Sequence, residues 1–437
     1  MSFVATPIKG QRGQTIALVA VSMVSLLAVA ALAIDLTTLY VAKGEIQRAA
    51  DSAALAGAKA FVDSGVTTDP SNANLQSVAQ QIANSYAVAA AFQNNVAGAP
   101  AQLVGSPALD FSLQGNPRIT VRLQKINLPV FFARIFGNSA ATVSATATAE
   151  AYNPAYSQNN TGNFIPAAPK CVKPFLVPNL DPGSSPSQPF VDEAKGLVTS
   201  GVPFLGEEIQ LTSACKGQGQ GCVNPPRPGA GEYLPMLVSG THTYCPSDAA
   251  PGCGGGNKSD FEKSTECCDG TPFDFQQCGA STSLVSWDTS LDPGGPNKAA
   301  QEGLQCLIHT TIPGPLSGQQ DSIDVTSFQA GTGAPKISPG IFSIGRYNIP
   351  GGALMDTSDS IITVPLFHVP ATMPANNQLT IVGFLQLFVA YVKPFGQPQQ
   401  DMDAYIVNVI GCGKSAASGP PVSGGGVSPI PVRLVHN

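Results

Sequence analysis

Three stretches carry side chains at spacings that could do chemistry. Asp356-Thr357-Ser358-Asp359-Ser360 has the Asp-x-Ser-x-Ser arrangement, in which one carboxylate and two hydroxyls can converge on a hard divalent cation such as Mg²⁺. Such a site follows a buried strand and precedes a helix. Here Pro350-Gly351-Gly352-Ala353-Leu354-Met355 makes a weak strand, and Ile361-Ile362-Thr363-Val364 reads as a strand where the helix should begin. The expectation is a polar turn between strands; a metal held by Asp356, Ser358 and Ser360 is the rival reading.

Gly252–Ser259 ends in the Lys258-Ser259 pair of a phosphate-binding loop, but Asn257 stands where a Gly must let the backbone curl around phosphate. His242, Cys245, Cys253, Cys267 and Cys268 could ligate zinc in principle. Their spacing is irregular and no Cys-x-x-Cys pair occurs. There is no Gly-x-Ser-x-Gly elbow and no His-Glu-x-x-His, and the four histidines, His242, His309, His368 and His436, are scattered. Trp287-Asp288 reads as an anchor. No enzyme activity, metal or cofactor is expected from these residues.

The elements behind these residues belong to an exported protein. Charged residues make up 11 % of the 437, against about 25 % in an average soluble domain, while Gly and Pro number 45 and 38. A net charge of −6 without a basic block speaks against nucleic acid as a partner. The 43 % of hydrophobic residues suffice for a core. Ten cysteines, Cys171, Cys215, Cys222, Cys245, Cys253, Cys267, Cys268, Cys278, Cys306 and Cys412, all follow residue 170, and read as disulfides whose pairing the sequence leaves open.

The strongest signal lies at the other end. Thr15–Ile34 is twenty residues without a charge, including Leu18, Leu26, Leu27 and Leu32. As a helix it is about 30 Å long, the thickness of a hydrocarbon core. Ala31-Leu32-Ala33 offers a signal-peptidase site, but signal cores are about 7–15 residues, so an uncleaved anchor is the preferred reading. Lys9 and Arg12 precede the span while Lys43 and Arg48 follow it; the short tail and the cysteine-bearing body favour an N-terminus inside. From Leu36 to Phe61 the helical pattern continues as an amphipathic stripe that includes Leu39, Ile46, Ala49, Ala53 and Gly57. That stripe either covers the protein's own sheet, the preferred reading, or offers a close-packing face to a partner helix.

Arg12-Gly13-Gln14, the apolar span, Ile34-Asp35, Tyr40 and Ile46-Gln47-Arg48-Ala49-Ala50-Asp51-Ser52-Ala53-Ala54-Leu55-Ala56-Gly57-Ala58 resemble the opening of the TadE/TadG-like proteins of the Flp/Tad pilus-assembly system. Phe131–Gly137 and Val143–Ala151 extend the resemblance more loosely. It implies a single-pass inner-membrane protein whose periplasmic or surface-exposed body supports pilus assembly, adhesion or secretion, with other pilus-assembly or pseudopilin-like subunits as partners. Pilins of this system are cut after a Gly followed five residues on by Glu. Gly10 and Gly13 are followed there by Thr15 and Leu18, which favours the uncleaved TadG-like type.

Further along, Leu75–Phe92 reads as a second helix, Arg118–Gln124 and Ala140–Ala151 as strands, and Pro129–Phe136 as a short helix. Beyond residue 170 helical signals are few, and Ser360–Phe367, Leu379–Val392 and Ala404–Ile410 are β-prone. Leu379–Val392, with Gly383 and Gln386, is too short and polar for a second span and reads as a buried strand or strand pair. The expected fold is α+β: a long transmembrane helix entering a small pilin-like α+β domain, then a β-rich, disulfide-containing domain. The expected divisions are a cytoplasmic tail (1–14), the span (15–34), the TadG-like domain (35–152), a linker (153–170), the cysteine-bearing domain (171–412) and a Gly/Ser/Pro-rich tail (413–437). The function this supports is an anchored, non-enzymatic scaffold or adhesive component of pilus or surface assembly; the alternative is an exported, membrane-anchored enzyme or ligand-binding adhesin with its site in the β-rich C-terminal half.

Overall fold

Helix α1 runs unbroken from Gln11 to Asp63. Alanine and leucine, the best helix formers, dominate it, and no proline interrupts it. It stops where Gly65 turns left-handed (φ +70°) and donates its N–H to the Val62 carbonyl at 3.1 Å. Helix α2, Ala73–Gln93, starts two residues earlier than its apolar pattern suggests, because Asn72 caps it: its Oδ1 accepts from the N–H groups of Asn74 and Leu75. A computed structural model describes residues 11–112, 116–137, 140–156, 167–199, 203–215, 222, 225–238, 253, 258–267, 284–290, 295–310, 320–393, 402–413, 422–423, 428 and 430–435. The fold is α+β, and it divides into two compact units.

The first unit gathers the chain up to Ala54, Tyr86–Ala108 and Thr120–Thr148. Its strands come from β1 (Arg118–Pro129) and β2 (Ala140–Ala151). On β1, Val121 and Leu123 are buried while Arg122 is exposed, the period-two pattern of a half-buried strand. Gln102–Leu103 pairs antiparallel with Leu123–Gln124. Helix α1 runs alongside β2: Lys43 Nζ donates to the Ser144 carbonyl and Gln47 Nε2 to that of Thr146 at 3.5 Å. Four helical residues advance about 6 Å and two strand residues nearly the same, so the two elements stay in step. The expected helix from Pro129 is shorter than its apolar run: Pro129 is the last residue of β1, and a single 3-10 turn, Ala133–Phe136, follows, ended by left-handed Gly137.

The second unit holds Leu55–Ser85, Leu109–Ile119 and Ala149 onward. Its main strands are β3 (Phe175–Pro178), β4 (Glu208–Ser213), β5 (Glu232–Pro235), β6 (Leu284–Ser286), β7 (Ile361–Phe367), β8 (Gln378–Val392) and β9 (Met402–Gly411). Their order is β6-β8-β7-β3-β5-β4-β9, and β8 also pairs with β9, so six of them close into a ring with β6 appended. Pairing is antiparallel except between β7 and β3 and between β4 and β5. Ile362, Val364 and Leu366, Leu385, Leu387 and Val389, and Ala404 and Ile406 alternate into one core with Phe175 and Tyr233. The long apolar run is thus one strand, β8, whose Gly383 lies so close to β9 that a Cβ there would meet the Ile410 carbonyl oxygen at 2.3 Å. A last strand, β10 (Val432–Leu434), pairs antiparallel with Ala149–Ala151.

The second half carries more helix than its sequence suggests. Helix α3 (Asp260–Glu266) and α4 (Gly295–Leu307) bring Phe261, Ala300 and Leu304 into the ring's core, and α5 (Thr326–Gln329) and α6 (Ile341–Tyr347) follow. Ser259 caps α3 by accepting from the Glu262 N–H at 3.1 Å. At Gly303 a Cβ would come within 2.8 Å of Thr265 Cβ, so α3 and α4 touch almost backbone to backbone. Two disulfides, Cys215–Cys222 and Cys253–Cys306, fasten this region. The second spans 53 residues, for which loop closure contributes about 4 kcal/mol.

Candidate membrane and assembly site

Among the described residues, α1 is the one helix long and apolar enough to cross a membrane. Thr15, Leu18, Leu26, Leu27, Leu32 and Ile34 are all exposed. Bare apolar surface on every side of a helix is costly in water and suits lipid. The hydroxyls in and just after the span are turned inward on the helix: Ser22 donates to the Val19 carbonyl and Ser25 to that of Val21, and Thr37 and Thr38 to Ala33 and Ile34. Such back-bonding leaves no unpaired hydroxyl for hydrocarbon.

At Asp35 the surroundings change abruptly. This carboxylate is only 4 % exposed, and accepts three backbone N–H groups, from Phe131 (2.8 Å), Phe132 (2.9 Å) and Ala133 (2.7 Å). Burial on its own would raise the carboxyl's pKa; the three donors outweigh it and hold the value below the ordinary range. Asp35 thus serves the 3-10 turn as a borrowed cap from another element. In the sequence Asp35 is the first charge after the uncharged run, with no local signal for partners 96 to 98 residues away.

Past Asp35 the stripe turns inward. Ile46, Ala49 and Ala53 are at most 1 % exposed, Gly57 is buried, and Leu39 is half-buried. A Cβ at Gly57 would meet Ile119 Cδ1 at 2.4 Å, so this position is already filled by the chain's own β1. Leu36, Tyr40, Val41, Lys43, Gly44 and Arg48 form the face that stays exposed.

The end of α1 is clamped by polar groups that its sequence does not announce. Asn408 on β9 donates to the Val62 carbonyl (3.2 Å) and to Gln386 Oε1 on β8 (2.7 Å), and accepts from Thr67 Oγ1 (3.2 Å). Thr68 Oγ1 accepts the Val409 N–H at 3.0 Å, and Asn153 Nδ2 reaches the Thr67 carbonyl at 2.9 Å. All five side chains are at most 5 % exposed. The signal is Gln386 and Asn408, each set within an apolar stretch of its strand, Ile381–Val389 and Ala404–Ile410.

The chemical candidates have other partners. Asp356 pairs with Lys59 of α1 at 3.0 Å, and Lys59 with Asp63 at 2.7 Å; burial would lower the Lys59 pKa, but the two carboxylates raise it above its ordinary value. Ser358 is buried and donates to Asp321 Oδ2 at 2.5 Å, and the Ser360 N–H donates to Ser358 Oγ at 3.1 Å. These residues form the turn into β7. His309 Nε2 lies 3.1 Å from Asp359, with its ring stacked on Phe342, and its Nδ1 is buried without a hydrogen-bond partner among the described residues. An oriented imidazole is half of a proton relay, and among the described residues its other nitrogen meets no group that would complete one. His368 pairs with Glu193, and Trp287 is buried, donating to the Cys222 carbonyl at 3.2 Å. Among the described residues no group of three or more His, Cys, Asp or Glu is placed to hold a metal. Cys171, Cys267 and Cys412 are also disulfide-bonded, and no described cysteine is free. Lys9, His242, Cys245, Cys268, Cys278, His436, most of Gly252–Ser259, and much of the expected linker and tail lie outside the described residues.

Residues 13–60 match the family described as putative Flp pilus-assembly TadE/G-like. The match lies within α1 and confirms the resemblance read from its sequence. No curated protein and no solved structure matches the chain. The family's description is of pilus assembly and names no catalysed reaction.

Proposed function

We propose that this protein is a single-pass inner-membrane component of an Flp/Tad-type pilus-assembly apparatus, with its N-terminus in the cytoplasm and its body in the periplasm or at the cell surface. It works there as a non-enzymatic scaffold or adhesive subunit, alongside other pilus-assembly or pseudopilin-like subunits. The observation that carries this reading is the coincidence of the family match at 13–60 with a helix that is bare over Thr15–Ile34 and buried along one face from Ala42 onward. One continuous rod thereby joins a lipid-compatible segment to a disulfide-fastened body. Disulfides agree with an oxidising compartment outside the cytoplasm.

Protease and thiol-labelling accessibility in spheroplasts, with and without reductant, tests the topology. The expected result is a full-length chain retained in the membrane, a body open to external protease, and cysteines that label only after reduction. A soluble body beginning near Ile34 would instead make the span a signal peptide and remove the anchor. Deletion of the chain should abolish pili or pilus-dependent adhesion; unchanged piliation would overturn the assembly role.

A further inference from the structure

We propose that the turn Phe131–Arg134 is a membrane-interface foot, which enters the headgroup layer of the bilayer that α1 spans and sets the depth at which the protein rides. The inference rests on reading Thr15–Ile34 as the span. The uncharged run ends at Ile34, and the next residue, Asp35, holds the backbone of Phe131, Phe132 and Ala133 through three hydrogen bonds. With a helical rise of about 1.5 Å per residue, the turn is fixed within a few ångströms of the hydrocarbon boundary. It has no freedom to sit elsewhere while those bonds persist.

Its side chains suit that layer. Phe131 and Phe132 are 61 % and 37 % exposed, two aromatic rings on a turn that no described residue covers fully. Arg134, the first basic residue after them, is exposed, and no acidic residue occurs between Val130 and Ser139. Aromatic rings concentrate at headgroup depth, and a guanidinium pairs with phosphate through paired N–H donors. Tyr40, 80 % exposed and five residues beyond Asp35 on α1, stands about 7.5 Å higher, within the thickness of the same layer. The occupant is therefore phospholipid, with its phosphate as the polar partner and its upper acyl chains as the apolar one.

The test uses the full chain in bilayers that contain brominated phospholipid. Phe131→Trp adds a second indole to a protein whose one native tryptophan, Trp287, is buried, so wild type supplies the background. Leu26→Trp reports on the span itself. The foot predicts that lipids brominated near the headgroup quench Phe131→Trp several-fold more than wild type, while deep bromines quench Leu26→Trp most. Quenching of Phe131→Trp by aqueous iodide alone, as for a solvent-facing residue, would overturn the foot. So would protection from both bromine and iodide, which would mean that another protein subunit covers the turn. If Leu26→Trp is also unquenched by lipid, the span itself fails, a result distinct from loss of the foot alone.

Discussion

Thr15–Ile34 and Ala42–Val62 are two halves of one helix, both rich in Ala, yet they meet opposite surroundings. The first is bare on all sides; the second buries Ile46, Ala49, Ala50, Ala53 and Ala54 to 1 % exposure or less. The difference is one of side-chain size and of charge: the first half has no charged residue, while the second carries Lys43, Glu45, Arg48, Asp51 and Lys59 between its small apolar positions. The first half is built from Leu, Val and Ile around its circumference, as lipid contact requires. The second puts Ala and Gly on the inner face and Lys43, Arg48 and Gly44 on the outer, which lets β-strands approach closely on one side only. Asp35 sits at the junction and belongs to neither pattern.

A charge in each half should fail differently. Ala53→Arg places an unpaired cation in a fully buried position and should cost about 4 kcal/mol of folding stability, seen as a lower melting temperature by circular dichroism in detergent. Leu26→Arg should leave that melting curve intact and cost about 3 kcal/mol of insertion, seen as loss from the membrane fraction. If both mutations lowered the melting temperature equally, the two halves would share one environment and the comparison would break.

Volume sharpens it further. Gly57→Val must displace Ile119 and should destabilise by about 2–3 kcal/mol, whereas Ala30→Val, on the exposed half, should change stability by less than about 0.5 kcal/mol. At the buried end, Asn408→Ala strands the Val62 carbonyl, Gln386 and Thr67 together and should cost about 1–2 kcal/mol by the same melt.

A last effect separates the halves by pH. Thr15–Ile34 contains no titratable side chain, so any response must come from the body. There, burial and the neighbouring Asp181 carboxylate raise the Glu207 pKa to about 7 against the pull of the Gly183 N–H. The folded state then keeps a proton that the unfolded state has released, so stability falls as pH rises from about 4.5 to about 7. Glu262, also held up by burial, acts with the same sign. Melts across that window should show the fall in wild type and a shallower one in Glu207→Gln, with membrane retention unchanged throughout.

Local pattern made some of this legible. The span, its amphipathic continuation and strand Ala140–Ala151 could be read because each is a periodic run whose burial partner need not be known. Helix α3 was announced by Ser259-Asp260-Phe261-Glu262, a capping box masked by its place at the end of an imperfect phosphate loop. Helix α4 carries Ala299, Ala300, Gly303, Leu304 and Leu307 at helical steps, weak as an apolar signal because three of the five are small. What sequence could not supply were long-range pairings. The ring depends on Val177 meeting Leu366 and on Leu211 meeting Met402. The clamp depends on Thr67 meeting Asn408, 341 positions apart. No local preference encodes such distances; they follow from which strands can share a core.

Since β8, β7, β3, β5, β4 and β9 each have a neighbour on both sides, the body offers no unpaired strand rim along that ring for a second chain to extend. Strand donation into that ring, in which one chain completes the sheet of the next, would require one of its strand pairs to open first. A neighbour docked on the ring is instead met through side chains and turns. Such contacts can be released and remade while the subunit stays folded.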